Sequence, residues 1–158
     1  MTVTPLRPPV HQATLVRSDV AHTFDCFVRT IGTWWPVNPF SAGGDRVRAV
    51  TFEREVGGRV FETWDDGTEV VWGDVRAFDP PERFVMSWNI TPVPTEVELT
   101  FSALGPDLTR VAVEHRGWDA LSDEQFVEAC ALPADTATNR FTEGWSRILA
   151  RFTEVAEQ

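Results

Sequence analysis

From Thr138 to Glu157 the chain carries Phe141, Trp145, Ile148, Leu149, Phe152 and Val155 at intervals of four, three, one, three and three. That spacing puts all six on one face of an α-helix. Arg140, Glu143, Arg147, Arg151 and Glu154 fall on the other face and suit water. Pro133 and Asp135 stand just before the start, and the one weak residue inside is Gly144. A mid-helix glycine costs about 1 kcal/mol against alanine, so it is read as a place where another backbone comes close. Twenty helical residues span about 30 Å. A helix this long, and this aromatic on one side, requires a broad apolar surface to lie on.

The middle of the chain is patterned to supply that surface. Arg46 to Trp118 has period two, with strands expected at Arg46–Glu55, Arg59–Trp64, Glu69–Phe78, Glu82–Asn89, Thr95–Leu104 and Thr109–Trp118. Val56-Gly57-Gly58, Asp65-Asp66-Gly67, Asp79-Pro80-Pro81 and Gly105-Pro106-Asp107 punctuate them as turns, and Ile90–Pro94 is a longer link. The half-polar alternation of Val97, Leu99 and Phe101 with Glu96, Glu98 and Thr100 predicts one wet face and one covered face. Upstream, residues 1–9 form an irregular arm and Val10–Arg17 a first strand. Ser18 or Asp19 caps a helix with Val20, Phe24, Phe27, Val28 and Ile31 on one side, ended by Gly32. Trp34-Trp35-Pro36 and a loop, Val37–Gly44, follow. Between the sheet and the last helix, Ser122 can cap a short helix through Phe126 and Val127, ended by Pro133.

The 158 residues, 42% of them apolar, suit a single domain with a full core. All fourteen basic residues are arginine, and 24 acidic ones bring the net charge to −10. Such a surface repels phosphate backbones and anionic lipid, which argues against nucleic-acid and membrane partners. No segment has the pattern of a signal peptide or a membrane span. Cys26 and Cys130 have no zinc or redox spacing, and His11, His22 and His115 have no metal-ligand spacing. A cytoplasmic protein without metal or cofactor is expected, and a homodimer is compatible with the sequence.

Several local motifs, taken in order, resemble a known family. They are Phe24 through Trp34-Trp35-Pro36, Val56-Gly57-Gly58, Gly67 followed by Gly73-Asp74-Val75, and Asp79-Pro80-Pro81-Glu82-Arg83. Thr109-Arg110-Val111, Glu114-His115-Arg116-Gly117 and Gly144-Trp145 complete the set. The chain is similar over nearly its whole length to the START-like, birch-pollen-allergen-like superfamily (SRPBCC). Within it, the resemblance is to the branch of the activator of heat-shock-protein-90 ATPase homologue. The resemblance implies an α+β helix-grip fold, in which a curved antiparallel sheet of about seven strands wraps the long C-terminal helix. Short helices follow the first strand, and a ligand cavity lies between sheet and long helix. Such motifs mark fold better than function.

The candidate cavity wall is Trp34, Trp35, Phe61, Trp64, Trp72, Trp88, His115, Phe141 and Trp145. Aromatic walls with few polar groups suit a small hydrophobic, aromatic ligand. The plain alternative is that these side chains are simply core. His115 is in register with Val111 and Val113 on the apolar face, either as a satisfied core residue or as a polar handle. Glu62 shares a face with Trp64. The wet face is the expectation for it, whereas an inward Glu62 near His115 would form the best acid/base pair in the chain. No nucleophile elbow, zincin motif, phosphate loop or dinucleotide fingerprint is present. The leading expectation is a binding protein for a small hydrophobic molecule. The alternatives are a polyketide cyclase or aromatase-type enzyme, with His115 and Glu62 as catalytic candidates, or a natural-product self-resistance protein. A co-chaperone-like interaction role ranks behind them.

Overall fold

The computed structural model describes residues 9–36, 41–89, 94–117 and 137–157, and in the last helix the side chains from Gly144 onward. In chain order the elements are β1 (Val10–Val16), α1 (Val20–Arg29), α2 (Ile31–Trp34) and a 3₁₀ turn (Gly44–Arg46). Then come β2 (Val47–Phe52), β3 (Arg59–Trp64), β4 (Glu69–Asp79), β5 (Arg83–Trp88), β6 (Thr95–Gly105) and β7 (Leu108–Arg116). The last element is α3 (Ala137–Ala156). The strands form one antiparallel sheet of seven in the order β1-β7-β6-β5-β4-β3-β2. β2 through β7 are a plain meander, and β1 closes on β7 from the far end of the chain. The sheet curls into a half-barrel with α3 across its concave side, an α+β helix-grip architecture.

Alternation decides which face is covered. In β6 Thr95, Val97, Leu99 and Phe101 are buried, while Glu96, Glu98 and Thr100 between them are only partly so. β7 repeats this with Thr109, Val111, Val113 and His115. The outer face carries Arg116 hydrogen-bonded to Glu96, Glu98 and Glu114, and Arg83 to Asp79 and Glu98. Such exposed pairs add little stability each. Below the sheet, α3 presents Trp145, Ile148, Leu149, Phe152 and Ala156, all buried. α3 also meets β1, where Thr14 and Thr153 hydroxyls bond at 3.2 Å.

Three expectations about the first helix and hairpin are corrected. Asp19 is the cap, its Oδ1 accepting from the His22 N–H at 2.7 Å, but Gly32 does not end the helix. Thr30 does, through its own N–H bonded back to the Cys26 carbonyl, and Ile31–Trp34 makes a separate turn containing Gly32. A Cβ on Gly32 would lie 2.9 Å from the Val50 carbonyl oxygen, so the glycine there serves close packing of α2 on β2. Secondly, Arg46 leaves the second strand for the 3₁₀ turn, and that strand ends at Phe52. Thirdly, Glu62 lies on the covered face, not the wet one. It shares that face with Val60, two residues earlier and also fully buried, and the neighbouring strand bulges here: Val60 pairs with Gly73 and Phe61 with Val71, leaving Trp72 as the extra residue of β4. Glu62 is fully buried, whereas Phe61 turns to the opposite face beneath the Arg59 guanidinium, 4.4 Å from its ring. The arm at residues 1–9, apart from its last residue, the Ile90–Pro94 link up to Val93, the Ser122 helix and Cys130 lie outside the described residues. Cys26 is a buried free thiol.

Candidate functional site

Four indoles from four different elements meet under the sheet. Trp35 follows α2, Trp72 is the bulge residue of β4, Trp88 ends β5, and Trp145 comes from α3. Trp35 lies 4.9 Å from Trp72, 6.2 Å from Trp88 and 5.9 Å from Trp145, centroid to centroid. Trp72–Trp88 and Trp88–Trp145 close the group at 5.8 and 6.0 Å. These separations and tilts are those of favourable aromatic contact. Together with Phe27, Ile31, Met86, Val97 and Leu99 the four rings line one void. The void is small, about 10 Å³, room for no more than one water molecule.

Two polar groups stand behind the rings. Glu62 accepts four N–H bonds: Oε1 from the Trp72 indole at 2.6 Å and the Ala42 backbone at 2.8 Å, Oε2 from the Trp64 indole and the Gly43 backbone, both at 2.7 Å. Burial by itself would raise the carboxyl pKa. The bonds from Trp72, Trp64, Ala42 and Gly43 act the other way, and the net shift is downward. Glu62 is therefore ionised, with its acceptor positions filled. It ties the segment Ser41–Gly44 across the β3–β4 hairpin. Gly43 is needed there because a Cβ would come within 2.3 Å of the Trp64 ring. On the outer side of that ring lies Arg46, its guanidinium 4.2 Å from the centroid.

His115 sits at the other end of the Trp group, fully buried, edge-on to Trp88 and Trp145. The Trp145 indole donates to Nδ1 at 3.2 Å, and Nε2 lies 2.8 Å from the Thr95 hydroxyl. A donor on Nδ1 requires that nitrogen to carry no proton, so the ring is the neutral Nε2–H form, donating to Thr95. Burial pushes its pKa down to about 3. Glu62 is inward, but none of its four bonds goes to His115, so they do not make the acid/base pair that was the alternative for an inward Glu62. Among the described residues no three His, Cys, Asp or Glu side chains converge as a metal site requires.

The sequence-derived wall is thus brought together in part. Trp35, Trp72, Trp88 and Trp145 border the void. Trp34 is buried against Phe27, Trp35 and Phe152, and its indole N–H has no acceptor among the described residues. Trp64 is half-buried at the edge, Phe61 is on the other face, and His115 stands behind the rings. Phe141 lies outside the described side chains. Sequence reasoning missed Phe27, Ile31, Phe52, Val60, Phe84, Met86, Val97 and Leu99 as lining residues. The inward parity of β5 and β6 carried the signal for Met86, Val97 and Leu99, but a search for aromatics passes over it.

Comparison with known proteins agrees with this fold. The family model described as "Activator of Hsp90 ATPase homolog 1-like protein" matches residues 29–157. The structure of an anthrahydroquino-γ-pyrone synthase, Txn09, is similar at 29% identity and TM-score 0.57, covering 96% of this chain and 99% of that one. The self-sacrificing resistance protein CalC from Micromonospora echinospora is similar at 26% identity and TM-score 0.64, covering 94% of each chain. A Bacillus halodurans protein, BH1534, shares the fold at 13% identity and TM-score 0.69, covering 98% of this chain and 100% of that one. No curated protein matches the chain.

Proposed function

Starting from a chain that belongs to the Activator of Hsp90 ATPase homolog 1-like family, we propose that it binds a small, flat hydrophobic ligand between the curled sheet and α3. The observation that carries this reading is the set of four indoles around one void, each from a different element. Two of them, Trp72 and Trp145, spend their N–H groups on Glu62 and His115. A core needs no such arrangement, whereas a ligand wall benefits from rings whose tilt is set from behind. The void as it stands admits about one water. Binding therefore separates the rings, and the ligand replaces indole–indole contact with indole–ligand contact. The partner is a small molecule, not nucleic acid or membrane, and the setting is cytoplasmic. The net charge of −10 supports the first part, and no helix of the described residues is long and apolar enough to cross a membrane.

A second reading is an enzyme acting on a polycyclic substrate, favoured by the likeness to a synthase at 29% identity. In it the residues would act by shaping the substrate, since Glu62 has its acceptor positions filled and His115 is neutral with both ring nitrogens engaged. Titration with flat aromatic polycycles, followed by Trp emission, tests the first reading. Saturable quenching at one site is expected, with a dissociation constant of order micromolar, about −8 kcal/mol. Unchanged emission across the panel overturns it. Turnover of a candidate polycycle by the wild type, above the rate in buffer alone, would favour the enzyme.

A further inference from the structure

Glu62 is a buried negative charge with no positive partner among the described residues. It is fully covered, its four bonds come from neutral N–H groups, and among the described residues no arginine pairs with it. Buried carboxylates are ordinarily matched by a cation. Arg46 comes near but takes a ring face instead, lying over Trp64 at 4.2 Å. One of the two indoles that donate to Glu62 thus already carries a cation on its π face. The other, Trp72, is 1% exposed, and its ring borders the void. Donating an N–H to a carboxylate pushes electron density into the indole and strengthens the negative face of its quadrupole. The interior is of low dielectric, so the charge behind the ring is felt through it. An anion in the void would meet this field and the ring faces together.

We infer that the void selects planar aromatic ligands bearing a delocalised positive charge over neutral ones of the same shape, and neutral ones over anions, with the cationic end against Trp72. This rests on the ligand-binding reading and names the ligand class within it. Three probes on a three-ring frame separate the two ideas: 10-methylacridinium, 9-methylanthracene and anthracene-9-carboxylate. They are titrated into the intact protein in about 1 M salt, where the Debye length is about 3 Å and exposed charges no longer discriminate. The acridinium is expected to bind about tenfold tighter than methylanthracene, and the carboxylate weakest of the three. Equal affinities overturn the charge inference and leave the ligand-binding reading standing. Failure of all three to bind removes both. Glu62→Gln, with its fold checked by far-UV circular dichroism, is expected to bring acridinium and methylanthracene within about threefold of each other. A folded variant that keeps the full preference refutes the role of Glu62. If the variant does not fold, the wild-type series decides alone.

Discussion

The covered side of the sheet has two ends built from different aromatics. One is phenylalanine: Phe24, Phe27, Phe84, Phe101 and Phe152 meet at centroid distances from 5.0 to 6.4 Å, with Trp34 at their edge. Apart from the Trp34 N–H, nothing in this group needs a hydrogen bond. The other end is tryptophan: Trp35, Trp72, Trp88 and Trp145, with Glu62 and His115 behind them. Phenylalanines can settle into any tight edge-to-face arrangement. Trp72 and Trp145, whose N–H groups are committed to Glu62 and His115, cannot, and the void lies where the two ends meet, bordered by the four indoles and by Phe27, Phe52 and Phe84. The difference teaches where adaptability has been given up: rings at the Phe end are free to choose their tilt, whereas at the Trp end two of them are oriented by their acceptors.

The largest test of that contrast is truncation. Phe152→Ala and Trp145→Ala should each cost roughly 3–5 kcal/mol in chemical denaturation. A flat hydrophobic probe should then raise the melting temperature of Phe152→Ala, whose Trp wall is intact, as it does that of the wild type, and raise that of Trp145→Ala less. Rescue of both alike, or losses under about 1 kcal/mol, would erase the distinction.

The next effect belongs to the polar groups of the Trp end alone. His115 stays neutral in the folded protein until about pH 3, whereas in the unfolded chain it takes a proton below about pH 6.5. Protonation then favours the unfolded state, so stability is full above about pH 6.5 and falls as pH drops toward 3. The slope approaches 1.4 kcal/mol per pH unit, or roughly 2 kcal/mol between about pH 6.5 and pH 5. Urea melts across this range should show the loss in the wild type and not in His115→Gln. Glu62, with its pKa lowered, adds stability that is present above the unfolded carboxyl value of about 4.3 and disappears below it. That limb should survive in His115→Gln. A wild type with flat stability from about pH 7 to 5 would mean that the imidazole is not held neutral.

The smallest effect lies at the rim. Arg46→Ala removes an exposed cation–π contact on Trp64 and should cost about 0.5–1 kcal/mol. Trp64 emission should shift to the red as the ring gains water. A cost above about 2 kcal/mol would make Arg46 part of the Glu62 anchor and not merely a cover for the ring.

The chain by itself determined the helix that is gripped and the strands that grip it. Period 3.6 in Trp145, Ile148, Leu149 and Phe152, and period 2 in Val97, Leu99 and Phe101, are properties of single elements, because each element must bury its own apolar face. The Asp19 cap and the Asp-Gly turn at Asp66-Gly67 were legible for the same reason: their bonds are local. The family resemblance was legible as an ordered run of such local signals. The four indoles of the Trp site could be named from residue type, but only the tertiary structure decided how the site is built. Trp72 is the extra residue of a bulge between β3 and β4, and parity counted along one strand cannot detect a bulge made by two. Glu62 is buried because backbone N–H groups twenty residues away and two indoles reach it together, a sum that no local pattern contains. Whether large side chains fill a cavity or line one depends on how four elements approach each other. Close packing settles that in three dimensions.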